Sequence, residues 1–237
     1  MKLPVAILVG GLATRLGPIT EIIPKAIVDV AGKPFIIRQL EYLRRQGVER
    51  VVLCTGYLGE QIQSVVGDGA EIGINVQYSQ DWPTLMGTGG ALRQALPLLE
   101  PKFIILYGDS YLPIDFTAVE DTFIKSGNVA LMTVLRNKDR GDKSNVLFRH
   151  GRIIEYNKRS PRPEMEHIDY GVGAMRSEVL AEQPAGPFDL ADVYHRLSTT
   201  GQLAAYEVHE RFYEIGSPQG LAETIAYFLG EGIDELR

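Results

Sequence analysis

A short apolar run, Val5–Val9, ends at two adjacent glycines near the start of the chain. Such a run, bounded by glycine, is typical of a buried β-strand. Gly10 and Gly11 let the backbone turn with positive φ and bring bare N–H groups close to a ligand. Arg15 then supplies a planar fork of donors and Lys25 a mobile positive charge, both suited to phosphate. The stretch predicts a strand followed by a nucleoside triphosphate cradle.

A tight turn without a ligand is the alternative interpretation of the two glycines. A strand, a glycine turn and a nearby basic residue occur together in many α/β proteins that bind no phosphate. The stretch also lacks the G-K-[ST] ending of a Walker loop, and Gly10, Gly11 and Gly17 do not form G-x-G-x-x-G. A phosphate site here would follow neither of these two motifs.

Composition excludes several classes of function. The net charge of −6 over 237 residues lacks the basic field of a nucleic-acid or anionic-membrane surface. No apolar run approaches the roughly 20 residues that span a bilayer. The single cysteine, Cys54, permits no internal disulfide and fits a reducing compartment. We therefore expect a cytoplasmic protein with neither a nucleic-acid nor a membrane partner.

Hydrophobic patterning predicts a single α/β domain. Strands at 5–9, 51–54, 74–78 and 103–107 alternate with helices at 34–46, 59–66 and 90–99, which favours a mostly parallel sheet flanked by helices. The second half predicts a hairpin at 146–154, a segment at 168–175 that returns to the sheet, a strand at 203–208, and helices at 189–197 and 218–229. We expect the second half to cover the first.

Polar residues at the predicted strand ends are the candidate site, because ligands of open α/β sheets bind outside the carboxyl ends of the strands. Gln80 and Asp81 follow the third strand, and Asp109 follows the fourth. Asp109 could hold Mg²⁺, which takes one or two carboxylates plus phosphate oxygens, or could cap a turn or helix. Glu214, before the last helix, is the candidate second carboxylate.

The glycine-rich segment 85–90, Leu-Met-Gly-Thr-Gly-Gly, opens a predicted helix. A helix N-terminus offers free N–H groups to an anion or a base edge, and a plain glycine loop is the alternative. The four histidines are scattered without metal-ligand spacing, and no Gly-x-Ser-x-Gly or Cys/His arrangement indicates covalent catalysis.

Four ordered motifs resemble those of sugar-1-phosphate nucleotidyltransferases. GGLATRLGPITEIIPKAIVDVAGKPFI resembles the signature G-G-x-G-T-R-L…P-K-P…G-K-P, and LMGTGGAL, Gly108-Asp109 and YEIGSPQGL follow in the family's order. The resemblance extends from Leu3 to about Phe228. It implies a Rossmann-like, GT-A-like nucleotidyltransferase fold, with 1–140 as the nucleotide-binding half and 141–237 as the sugar-binding half.

The resemblance also implies the reaction: a nucleoside triphosphate and a sugar 1-phosphate give a nucleotide-sugar and pyrophosphate. Arg15 would bind the β- and γ-phosphates and Lys25 the α-phosphate, and Asp109 and Glu214 would hold Mg²⁺. The implied nucleotide-binding residues are Leu8, Gly10, Gly11, Thr14, Arg15, Lys25, Gln80, Gly87 and Thr88. The implied sugar-phosphate-binding residues are Asp109, Lys158, Tyr170 and Gly171.

No general base is required, because the attacking phosphate monoester has a second pKa of about 6 and is largely dianionic at neutral pH. The reaction instead needs alignment of two polyanions and neutralisation of the leaving pyrophosphate. Guanylyl and uridylyl transfer are both open, and the sequence is compatible with a homo-oligomer.

The sequence departs from the family pattern at several positions. Ala13 stands for the third signature glycine, Ala26 for the second proline of Pro-Lys-Pro, and Glu214 for an aspartate. The family's Glu-Lys-Pro sugar motif is missing, and Lys158 and Arg159 occupy about that place. These departures motivate a second hypothesis, a catalytically silent regulatory subunit that binds a nucleotide-sugar. A related glycosyltransferase would need an Asp-x-Asp motif, which Gly108-Asp109-Ser110-Tyr111 lacks.

Overall fold

The apolar runs of the first half form the parallel part of one sheet. The computed structural model describes residues 3–11, 23–137 and 143–230. Its strands are β1 (Val5–Leu8), β2 (Asp29–Val30), β3 (Lys33–Pro34), β4 (Arg50–Thr55), β5 (Asn75–Gln80), β6 (Lys102–Tyr107), β7 (Ser110–Tyr111), β8 (Ala130–Arg136), β9 (Val146–Arg149), β10 (Arg152–Tyr156), β11 (His167–Arg176), β12 (Leu203–Val208) and β13 (Tyr213–Glu214). Its helices are α1 (Phe35–Arg45), α2 (Gly59–Val66), α3 (Gly87–Ala95), α4 (Phe116–Ser126), α5 (Ser177–Ala181), α6 (Leu190–Thr199) and α7 (Pro218–Leu229).

Strand β1 lies at the centre of the parallel strands. It pairs with β4 on one side and β6 on the other, with Val5 opposite Val51 and Ile104, and β5 extends the sheet beyond β4. The carboxyl ends of these strands therefore meet at one edge, as the alternating pattern predicts.

The second half closes the sheet with antiparallel strands. Strand β11 runs antiparallel to β6, with Val172 opposite Leu106, and also pairs with β8 and β9. The hairpin of β9 and β10 forms one edge, and β12 adds to β8 in parallel. The predicted return of 168–175 to the sheet is confirmed, and the sheet is mixed because of it.

Two apolar layers cover the faces of the sheet, as the alternation of β1 requires. Val5 and Ile7 contribute to one layer with the apolar stripe of α1 and the buried face of α4. Ala6 contributes to the other layer with α3 and α6. The α/β prediction of a sheet flanked by helices is confirmed.

The prediction omitted several elements of the chain. Helix α4 and strand β8 lie between residues 116 and 136, where no element was assigned. Strand β13 forms a two-residue antiparallel ladder with β7, with Tyr213 opposite Tyr111 and Glu214 opposite Ser110. This ladder joins the last segment of the chain to the carboxyl end of β6.

Within the described ranges, none of the helices has both the length and the apolar character needed to cross a bilayer.

Candidate active site

A cavity of about 340 Å³ lies at the carboxyl edge of the parallel strands. This volume is within the range of ligand pockets, about 300–1,000 Å³. Residues that follow β1, β5 and β6 form its walls, together with the start of α3. The predicted site residues that line it are Leu8, Gly10, Gly11, Lys25, Gly87, Thr88 and Asp109.

Lys25 and Asp109 form an ion pair in this cavity. The Nζ of Lys25 donates to Oδ2 of Asp109 at 3.0 Å, and the side chains are 16% and 34% exposed. Lys25 begins a 3₁₀ turn, Lys25–Ile27, directly after Pro24. A positive and a negative group therefore stand together where a phosphate and a cation would both be attracted.

Hydrogen bonds from three elements hold the backbone of the segment that carries Asp109. The Nε2 of Gln39, on α1, donates to the carbonyl oxygens of Tyr107 (3.2 Å) and Ser110 (2.7 Å). The N–H of Ile215 donates to Asp109 O at 2.9 Å, and that of Gly108 to Leu8 O at 3.0 Å. Asp109 is therefore placed by α1, β1 and the last segment of the chain.

The two glycines after β1 serve different purposes. A Cβ at Gly10 would lie 2.9 Å from Gly56 N, so the close approach of two backbones requires glycine there. A Cβ at Gly11 would meet no atom of the described residues within 4 Å. Gly10 is thus explained by packing, whereas Gly11 faces open space at the cavity.

The turn at 85–90 both lines the cavity and packs against the second half. Gly87 has φ +71, and a Cβ at Gly89 would collide with the ring of Phe188. The hydroxyl of Thr88 donates to Asp189 Oδ1 at 2.7 Å and accepts from Leu190 N at 2.9 Å. These contacts link the N-termini of α3 and α6, so the small residues here also have a packing role.

Asp81 lines the cavity, whereas its neighbour Gln80 does not. Gln80 was the residue predicted to contact the nucleoside. Gln80 is exposed, and its Nε2 lies 3.6 Å from the position of a Cβ at Gly59. Asp81 Oδ2 accepts a hydrogen bond from Met86 N at 2.9 Å. The sequence placed both residues at this strand end, but only the structure distinguishes their directions.

The carboxylate of Glu214 is directed at the start of α7. It accepts hydrogen bonds from the N–H of Gly216 and the hydroxyl of Ser217, and its Oε1 lies where a Cβ of Gly220 would be. The Ser217 hydroxyl in turn caps α7 by accepting from Gly220 N at 3.0 Å, as predicted. Glu214 is adjacent to Asp109 through the backbone, yet of the two only Asp109 lines the cavity.

The described residues therefore fit a divalent ion in part. Asp109 presents a partly exposed carboxylate at a strand end beside the cavity, which suits a cation shared with phosphate oxygens. Both oxygens of Glu214 are already hydrogen-bonded. No cluster of three or more Asp, Glu, His or Cys side chains suited to a metal occurs in 3–11, 23–137 and 143–230.

The predicted sugar-phosphate residues of the second half lie in three different environments. Lys158 is exposed in the loop after β10. The ring of Tyr170 is buried in the core, where it packs edge-on against Phe212 with centroids 5.9 Å apart. Gly171 has φ +110 and lies opposite the ring of Tyr107, which lines the cavity. Of these three predicted residues, none is part of the cavity wall that the described residues form.

Asp169 is a further carboxylate near the cavity wall, and it was not predicted as a site residue. Burial raises the pKa of Asp169 to about 6, and the Gly171 N–H and the charge of Lys158 oppose this shift. The Gly171 N–H donates to Asp169 Oδ1 at 3.0 Å. Burial, followed by the negative charge of Asp169, raises the pKa of Tyr107 well above its usual value. Asp169 therefore lies near both Tyr107 and Lys158.

Thr14, Arg15 and Ala13 lie outside the described residues. Two further residues, Gln39 and Asp169, belong to the site and its support but were not predicted. Asp81 was predicted at this strand end but was given no role there. Gln39 interrupts the apolar stripe of α1, and such a polar residue on a buried face is a signal that the sequence offers.

Comparison with known proteins identifies the family of the chain. The sequence model of the nucleotidyl transferase family matches residues 5–145. The chain belongs to this family. The predicted sugar-1-phosphate nucleotidyltransferase relationship is also confirmed: D-glycero-alpha-D-manno-heptose 1-phosphate guanylyltransferase of Aneurinibacillus thermoaerophilus is 30% identical over 159 residues, 67% of this chain and 68% of that protein.

Other nucleotidyltransferases align over different shares of the chain. N-acetylmuramate alpha-1-phosphate uridylyltransferase of Neisseria meningitidis serogroup B is 40% identical over 117 residues, 49% of this chain and 51% of that protein. The chain thus spans about half the length of the curated relatives it matches first. HddC from Yersinia pseudotuberculosis, solved in complex with GMP-PN, superposes with a TM-score of 0.81 and 27% identity, covering 95% of this chain and 99% of that one.

Proposed function

We propose that the protein transfers a nucleotidyl group from a nucleoside triphosphate to a sugar 1-phosphate, releasing pyrophosphate. One observation carries this proposal: the Lys25–Asp109 ion pair stands in the strand-end cavity beside Gly10-Gly11 and Gly87-Thr88. In a member of the nucleotidyl transferase family, this arrangement supplies a cation for phosphate, a carboxylate for a metal ion, and backbone N–H groups for a nucleoside.

Lys25 is the residue that we assign to the α-phosphate. Its ammonium is held at the cavity wall by Asp109, so it is oriented before substrate arrives. A preorganised charge at the phosphorus under attack stabilises the transition state without costly rearrangement. Arg15, by its place in the signature motif, is assigned to the β- and γ-phosphates of the leaving pyrophosphate. Gly11 leaves space for the nucleoside near the strand ends, whereas a Cβ at Gly87 would meet the backbone of Phe188.

Asp109 is the residue that we assign to Mg²⁺. When bound, the ion supplies neutralisation of charge shared between two polyanionic substrates. The carboxylate of Asp109 is partly exposed and can leave the ammonium of Lys25 when phosphate replaces it as the partner of that lysine. Glu214, which the family pattern assigns to the same ion, holds the N-terminus of α7 in the present conformation. We therefore assign the metal to Asp109 and not to the pair.

The second half is assigned to the sugar 1-phosphate. A Cβ at Gly171 would lie 3.8 Å from the ring of Tyr107, a residue of the cavity wall, and the Gly171 N–H donates to Asp169, on which the charge of Lys158 acts. A carboxylate accepts hydrogen bonds from sugar hydroxyls, and an exposed lysine attracts the phosphate. This distribution supports a nucleotide-binding half at 1–140 and a sugar-binding half at 141–237.

The test is pyrophosphate release from a matrix of five nucleoside triphosphates and a dozen sugar 1-phosphates, with Mg²⁺ or with a chelator. We expect turnover with at least one pair, and its loss in chelator and in Asp109→Asn. The matched control is Asp121→Asn, since Asp121 pairs only with an exposed lysine on α4 in the described structure and lies outside the cavity. Tight binding of a nucleotide-sugar without turnover on any pair would instead support the regulatory subunit.

A further inference from the structure

Gln39 is a buried amide on the core-facing side of α1. Its relative exposure is 2%, and the other buried residues of this helix, Phe35, Ile36, Leu40 and Leu43, are apolar. Gln39 does not line the cavity. A polar group in a core costs stability unless it is hydrogen-bonded, so the partners of this amide indicate its purpose.

The amide nitrogen of Gln39 bridges the two ends of the short turn that carries Asp109. Nε2 lies 3.2 Å from the carbonyl oxygen of Tyr107, the last residue of β6, and 2.7 Å from that of Ser110, the first residue of β7. Carbonyl oxygens only accept hydrogen bonds, so the two N–H groups of the amide must face them. One side chain therefore holds the residues on either side of Gly108-Asp109.

The amide oxygen of Gln39 contributes no bond of this kind. Oε1 is buried and accepts no hydrogen bond from the residues that the structure describes. An apolar side chain would pack at this position without leaving a buried oxygen unpaired. Burial alone therefore does not explain glutamine here, whereas the two bonds from Nε2 to the turn do.

The carboxylate at the middle of this turn is held from two directions. The Nζ of Lys25 donates to Oδ2 of Asp109 at 3.0 Å, and the hydroxyl of Ser110 donates to Oδ1 at 3.2 Å. Ser110 is thus bonded to Gln39 through its backbone and to Asp109 through its side chain. Because a shift of Ser110 also moves the donor at Oδ1, the buried amide influences the carboxylate through a single residue.

We propose that Gln39 is a positioning residue for the metal site: it holds the turn 107–110 so that the Asp109 carboxylate meets Mg²⁺ in the cavity. The inference rests on the proposed function, because it takes the assignment of Mg²⁺ to Asp109 from there. Gln39 does not touch the ion and acts through the carbonyl groups of Tyr107 and Ser110. Since Mg²⁺ demands near-ideal octahedral geometry, a small displacement of this carboxylate weakens its binding.

Binding of a nucleoside triphosphate in the absence of sugar 1-phosphate tests the metal site without turnover. Calorimetry gives the affinity for GTP or UTP, whichever the wild type binds more tightly, in Mg²⁺ and in a chelator. The ratio of these two affinities is the Mg²⁺ factor. Gln39→Met removes both donors and keeps an unbranched side chain of similar length. It should lower the Mg²⁺ factor about tenfold, as for loss of a group that orients a metal ligand, and keep the affinity in chelator within about twofold.

A double-mutant cycle shows whether Gln39 acts through Asp109. Asp109→Asn alone should remove most of the Mg²⁺ factor. Gln39→Met should lower it no further in that background, because the carboxylate that Gln39 positions is gone. Gln39→Asn is a milder second variant, which keeps the amide but withdraws it by one methylene from the two carbonyl oxygens. It should lower the Mg²⁺ factor about threefold, the effect of a weakened hydrogen bond.

The control is Gln46→Met, directly after α1, where Nε2 donates to the hydroxyl of Tyr42 at 3.2 Å and the residue does not line the cavity. It should leave the Mg²⁺ factor within about twofold. A Gln39→Met protein that keeps the wild-type Mg²⁺ factor, or that loses affinity equally in Mg²⁺ and in chelator, would overturn the inference. A Mg²⁺ factor that survives in Asp109→Asn would instead overturn the metal assignment on which the inference rests.

Discussion

The ammonium of Lys25 lies 3.0 Å from Oδ2 of Asp109, although these residues are assigned to different ligands. Each is thereby held at the cavity wall with its charge compensated. A nucleotide that brings phosphate and a divalent cation offers each residue a new partner of the proper sign. The ion pair is thus a resting arrangement that substrate binding exchanges for two new contacts.

Replacement of Lys25 by methionine tests this arrangement. We expect kcat/KM to fall about 10²- to 10³-fold, as for loss of one preorganised charge stabiliser. Steady-state pyrophosphate release measures it, and circular dichroism verifies the fold. Lys125→Met is the matched control, because Lys125 pairs with Asp121 on the exposed surface of α4. A comparable loss in both variants would contradict the assignment.

Substitution by alanine should have different effects at the two glycines that follow β1. Gly10→Ala should destabilise the fold by about 1–3 kcal/mol, because its Cβ would lie 2.9 Å from Gly56 N. Gly11→Ala should change the unfolding free energy by no more than about 0.5 kcal/mol. Its methyl group would project into the part of the cavity proposed for the nucleotide. The resulting modest steric clash should weaken nucleotide binding about tenfold. Urea unfolding and calorimetry measure the two effects, and unchanged nucleotide binding by Gly11→Ala would contradict the cradle.

The difference in stability between the wild type and Asp169→Asn should depend on pH. Burial raises the folded pKa of Asp169 from 3.8 to about 6, so the folded protein holds this proton more tightly than the unfolded chain. The buried charge therefore costs stability as pH rises from about 4 to 6, and the cost is relieved on acidification. Asp169→Asn should be more stable than the wild type at pH 8 by about 1–3 kcal/mol, with little difference at pH 4.

Urea unfolding at five pH values between 4 and 8 provides the measurement. The quantity of interest is the difference between Asp169→Asn and wild type, because other carboxylates titrate equally in both. Asp121→Asn, on the exposed face of α4, should give a nearly constant difference. A difference for Asp169→Asn that does not vary with pH would contradict the raised pKa.

Substitution of Glu214 should lower the stability of the fold and leave the affinity for the metal unchanged. Glu214→Gln removes a negative charge from the N-terminus of α7 and weakens its bonds to Gly216 and Ser217, which should cost about 1–2 kcal/mol. The Mg²⁺ concentration for half-maximal turnover should stay the same, whereas Asp109→Asn should abolish turnover at every Mg²⁺ concentration. A Glu214→Gln protein of wild-type stability with a tenfold higher Mg²⁺ requirement would show that the carboxylate turns to the metal.

Much of the fold could be predicted because local patterns and tertiary packing agree. Strands β1, β4 and β6 contain continuous apolar runs that a glycine soon follows, and the predicted helix at 218–229 coincides with α7. Strand β8 and helix α4 were omitted although their residues are apolar and periodic. The short β7–β13 ladder has no local signal, because two residues a side carry no periodicity and their pairing joins distant segments.

The candidate site was predictable in its residue types but not in their directions. Asp109 and Gly10-Gly11 follow strands, so topology alone brings them to one edge. Gln80 and Asp81 share a strand end, and one residue of register decides which of them faces the cavity. The direction of the Glu214 carboxylate likewise depends on local contacts, because the start of α7 offers it two hydrogen-bond donors within three residues.

The ladder between β13 and β7 gives the chain an order of assembly. Every strand of the large sheet is complete by Val208, yet the Ile215 N–H that holds Asp109 O belongs to the segment that follows. During synthesis, all strands of the large sheet are therefore available before the segment that holds Asp109 in place. The backbone around Asp109 is thus completed only by the segment that begins at Tyr213, and a fragment ending before Tyr213 should fold around a cleft that does not turn over.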